Sequence, residues 1–240
     1  MFISNPIQAA CPIDQSRLTT VTFKYYDFSG NVHNDGQIVV LDIVGEHVTE
    51  IFAELYTLKF PIHKSQATEF YSGDDTKSMA DNNSSSYNCR EATGKPGIYS
   101  IHSYGLAIDI NPIQNPYVGI FNKENSTATV LPSEGLAYLN RANLRPGMVE
   151  PVVHIFRKHG FSVWGGDWDD RIDYQHFQTV RVVAELLAIM PKDEAMQFFM
   201  QYVQNPALLN KIPDDDKELL VLYTKSPEEF RIILKEKFGL

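Results

Sequence analysis

S-I-H-S-Y-G-L-A-I-D-I-N, residues 100–111, is the stretch on which the reading of the chain turns. Within ten residues it sets His102, Gly105 and Asp109 among apolar neighbours. An aspartate in an apolar run such as A-I-D-I is costly to bury unless it is paired or metal-bound. Glycine gives the backbone the freedom a tight turn needs. Two short strand pieces, 99–102 and 106–110, are therefore expected to meet at Gly105 and bring His102 and Asp109 to one point.

A second cluster, D-Y-Q-H-F-Q at residues 173–178, follows about sixty positions later. A catalytic zinc needs three protein ligands and one open position, and imidazole nitrogen and carboxylate oxygen both suit it. His176 supplies a third ligand beside His102 and Asp109. The chain has no H-E-x-x-H, so the helical zinc-peptidase arrangement is absent. Asp173 stands three residues before His176, a spacing that fits a helical turn or a bent strand but not a flat one. Its expected role is general base. Arg90 is expected to stabilise an oxyanion or grip a substrate carboxylate, for which a guanidinium is suited. His33, His47, His63, His154 and His159 have no such company in sequence and are not expected to hold metal.

The stretch from Ser100 to Asp109 resembles the S-x-H-x-x-G-x-A-x-D signature of the VanY-type D-alanyl-D-alanine carboxypeptidase family of zinc peptidases. That family also includes VanX-type dipeptidases and phage L-alanyl-D-glutamate endopeptidases. Ser100, His102, Gly105, Ala107 and Asp109 all match. W-G-G-D-W at 164–168, D-Y-Q-H-F at 173–177 and Cys89-Arg90 also resemble family features, so the resemblance spans roughly residues 18–178. It implies zinc (Zn2+) held by His102, Asp109 and His176, with Asp173 as base and Arg90 as electrostatic helper. Ser100 is expected to orient the first-ligand strand or touch substrate, and Trp164 and Trp168 to contact substrate.

The implied function is hydrolysis of peptidoglycan stem peptides, most simply release of a terminal D-alanine. Endopeptidase cleavage inside the stem is the alternative within the class. A zinc-bearing binding module without catalysis is the alternative outside it, and the presence of Asp173 and Arg90 favours an enzyme. The implied fold is α+β: a small antiparallel sheet carrying the zinc site, flanking helices, and a helical C-terminal extension. The resemblance favours a periplasmic or extracellular setting.

At 240 residues, 43% hydrophobic and 21% charged, the chain has the make-up of a globular protein with a sizeable core. Its formal net charge of −9 argues against general nucleic-acid binding, which calls for a basic face. No apolar run approaches the roughly 18 residues of a membrane-spanning helix. The opening residues lack the basic and long apolar regions of a signal peptide. Cys11 and Cys89, 78 positions apart, read equally as two buried thiols or as one disulfide that would clamp the N-terminal region near the site.

Along the chain, residues 18–28 and 36–43 read as a β-hairpin rich in β-branched and aromatic side chains. Val48, Ile51, Phe52, Leu55 and Leu58 recur at helical spacing, predicting a helix over 46–58. Residues 71–88 are polar and turn-rich and read as a loop folded over the site. Residues 150–159 read as a helix stopped by Gly160. The glycines and tryptophans of 160–168 suit a pocket wall. Helices are expected at 180–190 and 194–203, another opening at 213–216, and a last one over 226–238. A peptidase domain over 1–180 followed by a helical extension over 181–240, with no identifiable partner, is the expected organisation.

Overall fold

The computed structural model describes residues 11–93, 95–122, 127–169, 171–205 and 217–238. Strands β1 (Leu18–Tyr26) and β2 (Val32–Leu41) form the expected antiparallel hairpin, with Leu18 opposite Leu41. Helix α1 (Gly45–Thr57) buries Val48, Ile51, Phe52 and Leu55, the stripe that its 3.6-residue period predicts. Phe52 stacks on Phe23 of β1 with ring centroids 3.6 Å apart. Each such side chain contributes about 1.5–3 kcal/mol on burial, so helix and hairpin hold one another without a long sheet.

The polar stretch 71–88 is more ordered than a loop. It contains helix α2 (Asp75–Ala80), and Asn83–Ser84 (β4) pairs in parallel with Lys64–Ser65 (β3). Asn83, Ser84, Ser85, Ser86 and Asn88 are all buried. Their short side chains substitute for a regular ladder: Asn83 Oδ1 accepts from Gln66 N at 2.8 Å, and its Nδ2 donates to Gln66 O at 2.9 Å. Polar composition here marks hydrogen-bond self-sufficiency, which the sequence pattern reads as a loop.

After β5 (Glu91–Ala92) and β6 (Lys95–Tyr99) comes a single 3-10 turn, Ile101–Tyr104. His102 thus sits on a turn and not on the expected strand. Gly105 closes that turn at φ +66°, and a Cβ there would meet Leu41 N at 2.6 Å. Only glycine fits, because the end of the hairpin presses on the turn through a Leu41 N to Gly105 O bond of 3.0 Å. β7 (Ala107–Asp109) follows as predicted.

Two three-stranded antiparallel sheets complete the frame. One runs β10 (Val163–Trp164), β12 (His176–Gln178), β7; the other runs β11 (Ile172–Asp173), β8 (Tyr117–Asn122), β9 (Thr127–Leu131). Helix α3 (Val153–Lys158) backs the first sheet, with Phe156 stacked on Phe177 at 3.9 Å. The architecture is α+β, small antiparallel sheets flanked by helices.

Helices α4 (Arg181–Ile189), α5 (Lys192–Gln204), α6 (Lys217–Lys225) and α7 (Pro227–Ile233) follow. The helix start expected at 213–216 lies outside the described residues. Val182, Val183, Leu186, Phe199, Tyr202 and Phe230 join the same buried cluster as the hairpin and α1. No helix among the described residues is long and apolar enough to cross a membrane. Cys11 and Cys89 form a disulfide, with Cα atoms 5.8 Å apart, which decides between the two readings of the cysteines.

Candidate metal centre

The pairing of β7 with β12 sets His176 directly opposite Asp109. Side chains alternate along a strand, so Asp109, His176 and Gln178 share one face while Phe177 turns into the core. The 3-10 turn delivers His102 to the same point. Ser100 caps that turn, its hydroxyl accepting from His102 N at 3.4 Å. His102 Nε2 lies 3.2 Å from Asp109 Oδ2 and 3.1 Å from His176 Nδ1; His176 Nδ1 lies 3.0 Å from Asp109 Oδ1. All three residues are buried.

The outer ring nitrogens fix the tautomers. His102 Nδ1 donates to Ser86 O at 2.6 Å, a carbonyl that can only accept. His176 Nε2 donates to Gln178 Oε1 at 2.8 Å. With both rings neutral, the inner nitrogens and both Asp109 oxygens are lone-pair atoms facing one another at 3.0–3.2 Å. Only a positive charge at the centre relieves that crowding. The protonation preferences carry the same message. Burial acts to lower His176, but the hydrogen bond and charge of Asp109, with Asp173 behind it, lift it to about 9. Burial acts to raise Asp109, and the two histidines still hold it far below the carboxylate range. A tetrahedral ion with bonds of about 2.0–2.1 Å has ligand–ligand edges of about 3.3–3.4 Å, so a small outward spread of the three side chains would admit one.

The trio stands at a cavity of about 370 Å³ whose lining includes Ser100, Arg90, Trp168, Asp173 and Gln175. Asp173 belongs to β11 and His176 to β12, with Tyr174 and Gln175 between them. That bend is what allows residues three apart to reach one site. Asp173 keeps some surface toward the cavity, but its Oδ1 is buried and has no hydrogen-bond partner. Burial pushes its carboxyl up to about 6, with His176 pulling down and Asp109 pushing up further. Gly165 lets the strand pass: a Cβ there would lie 2.4 Å from Asp173 O and 2.8 Å from Asp173 Cβ.

Residues 93–179 match the family model of D-alanyl-D-alanine carboxypeptidases. The stretch 100–109 that carries the resemblance falls within this matched segment, which also contains Asp173 and His176. Arg90, the hairpin and α1 lie upstream of the match, and α4 to α7 lie beyond it. No curated protein and no solved structure gave a significant match.

The remaining expected site residues separate. Arg90 lines the cavity, its Nη2 2.8 Å from Asp75 Oδ2 and its Nε buried without a partner. Trp168 also lines it, with its ring centroid 5.5 Å from that of His176. Trp164 is not among the lining residues. It pairs with Phe177, shares that residue's core-facing side, and donates its indole N–H to Tyr174 O at 2.9 Å. Sequence reasoning missed Gln178 and Ser86, the groups that orient the two rings. H-F-Q alternation does place Gln178 on the face of His176; nothing local marks Ser86, sixteen residues before His102.

Proposed function

We propose that the protein is a zinc peptidase acting on peptidoglycan stem peptides, with His102, Asp109 and His176 holding the metal. The observation that carries this reading is the convergence of two imidazole nitrogens and both Asp109 oxygens within 3.0–3.2 Å, beside the Asp173 carboxyl, in the segment that matches the carboxypeptidase family model. The donor set, two imidazoles and one carboxylate, suits zinc with an open position for solvent. Zinc, when bound, supplies Lewis acidity and brings the pKa of water at the centre to about 7.

Asp173 takes the proton of the attacking water and hands it to the leaving amine. Burial raises this carboxyl above its ordinary range, the direction that suits a group which must both take and return a proton. Arg90 is fixed by Asp75 with its guanidinium at the cavity, where it stabilises negative charge on the scissile carbonyl oxygen or on a terminal carboxylate. Trp168 walls one side and limits access of bulk water. Lys95, Arg171 and Arg181 also line the cavity. Arg90 is paired with Asp75 and Arg181 with Glu185, so Lys95 and Arg171 are the cations best placed to meet a substrate's free carboxylate, which favours release of a terminal D-alanine over cleavage inside the stem.

The test is hydrolysis of peptides ending in D-Ala-D-Ala by zinc-loaded protein, with products identified by mass spectrometry. Release of D-alanine, lost in Asp173→Ala while zinc is retained, is expected. No cleavage by protein with stoichiometric zinc would overturn the reading.

A further inference from the structure

A second group of potential ligands lies away from the cavity. His47, Glu50 and His159 each bring a ligand atom to one place, all within 4.8 Å of one another. His47 and Glu50 are one turn apart on α1 and so share a face. His159 caps the C-terminal end of α3 and is buried. Its Nδ1 lies 3.4 Å from His47 Nδ1 and 3.2 Å from Glu50 Oε2. Those two spacings lie within about 0.2 Å of the edges of about 3.3–3.4 Å expected around a tetrahedral ion with bonds of about 2.0–2.1 Å.

The outer side of His159 is built like that of a ligand. Its Nε2 lies 2.9 Å from Glu54 Oε1, and Lys158 holds the same carboxylate oxygen at 2.8 Å. A carboxylate on the outer nitrogen of an imidazole sets the inner nitrogen as an acceptor and raises its basicity toward a metal. In that tautomer His159 Nδ1 faces an imidazole nitrogen and a carboxylate oxygen. The ring of Phe199, from α5, lies edge-on to His47 with centroids 5.3 Å apart and gives the group an apolar flank. Glu50 is exposed, which leaves room for solvent to complete the coordination.

We propose that His47, Glu50 and His159 bind a second divalent transition ion, with zinc the matching class, and that this ion is structural. Two imidazoles favour a first-row transition ion over magnesium or calcium, which take oxygen ligands. The ion ties α1 to the end of α3 across 112 positions of sequence, joining the hairpin side of the core to the helix behind the site. His47 and Glu50 lie outside the segment that matches the carboxypeptidase family model, and His159 lies inside it. The sequence gives no sign of it, because its two histidines are brought together only by the packing of α1 on α3.

The experiment counts metal in the full chain after chelation, reloading with zinc alone and removal of excess. Two ions per chain are expected in the parent protein. His47→Ala and, separately, Glu50→Gln should each lower the affinity of one ion about tenfold or more and leave the other bound. Glu50 is exposed, so Glu50→Gln keeps the test valid if His47→Ala fails to fold. Asp109→Ala should remove the other ion, which separates the two centres: failure of one leaves the other standing. One ion per chain in the parent protein, unchanged in both His47→Ala and Glu50→Gln, would mean that His159 holds only a proton between its carboxylates and would overturn the proposal.

Discussion

Gln178 Oε1 lies 2.8 Å from His176 Nε2, and the two residues sit two apart on one strand, facing the same way. The amide therefore decides which nitrogen of His176 carries its proton and which meets the centre. Gln178→Ala should leave the fold intact, since the strand's core contact is Phe177, and should weaken zinc binding by about 10–100-fold. Competition with a chromophoric chelator measures this. Unchanged affinity would show that His176 orients itself without the amide.

Gly105 links the hairpin to the centre. A methyl group there meets backbone, not the end of a flexible side chain, and the φ of +66° is itself unfavourable for alanine. Gly105→Ala should cost about 1–3 kcal/mol in denaturant unfolding. It should also weaken zinc binding, because the turn that must shift is the one that carries His102. A loss of stability with full zinc affinity would show that the strain is absorbed by Leu41 instead.

The parts of the site visible in the sequence are those tied to short-range pattern. His102, Gly105 and Asp109 lie within one turn and one strand, and the hairpin and α1 follow from periods of 2 and 3.6. What escaped depends on long-range packing or on short polar side chains replacing a ladder. The buried run from Asn83 to Asn88 reads as a loop because composition does not show that Ser85 pairs its backbone with Asp109 or that Ser86 O holds His102. The glycine-tryptophan stretch reads as a pocket wall, yet strand alternation sends Trp164 to the core side and leaves Trp168 at the cavity. Cysteine spacing left thiol and disulfide equal, because the distance between residues 11 and 89 is set by the whole hairpin and α1.

The Cys11–Cys89 disulfide joins the start of the described chain to the residue before Arg90. Closing a loop with 78 positions of separation removes denatured-state entropy worth about 4 kcal/mol. The double variant Cys11→Ser/Cys89→Ser should lose stability of that order in denaturant unfolding at fixed metal content. Its zinc affinity should fall as well, since Ser86, whose carbonyl orients His102, lies three residues before Cys89 and Asn88 N donates to His102 O. A loss well under 1 kcal/mol would mean that the reduced denatured chain is already compact around this pair.

The burial of Asp173 carries a cost in stability. Its carboxyl stands at about 6 in the fold against 3.8 ordinarily, chiefly through burial. Between those values the native state keeps a proton that the unfolded chain has released, so stability falls as pH rises. Above about 6 the full penalty is present; below about 4 it is absent. A shift of that size corresponds at most to about 3 kcal/mol, and the exposure of Asp173 to the cavity reduces it to about 1–2 kcal/mol. In chelated protein, Asp173→Asn should therefore be more stable than the parent by that amount at pH 7 and equal to it at pH 4, while losing peptidase activity when reloaded with zinc. Urea unfolding at the two pH values measures the difference. A variant no more stable at pH 7 than at pH 4, relative to its parent, would show that the buried carboxylate is already compensated in the native protein.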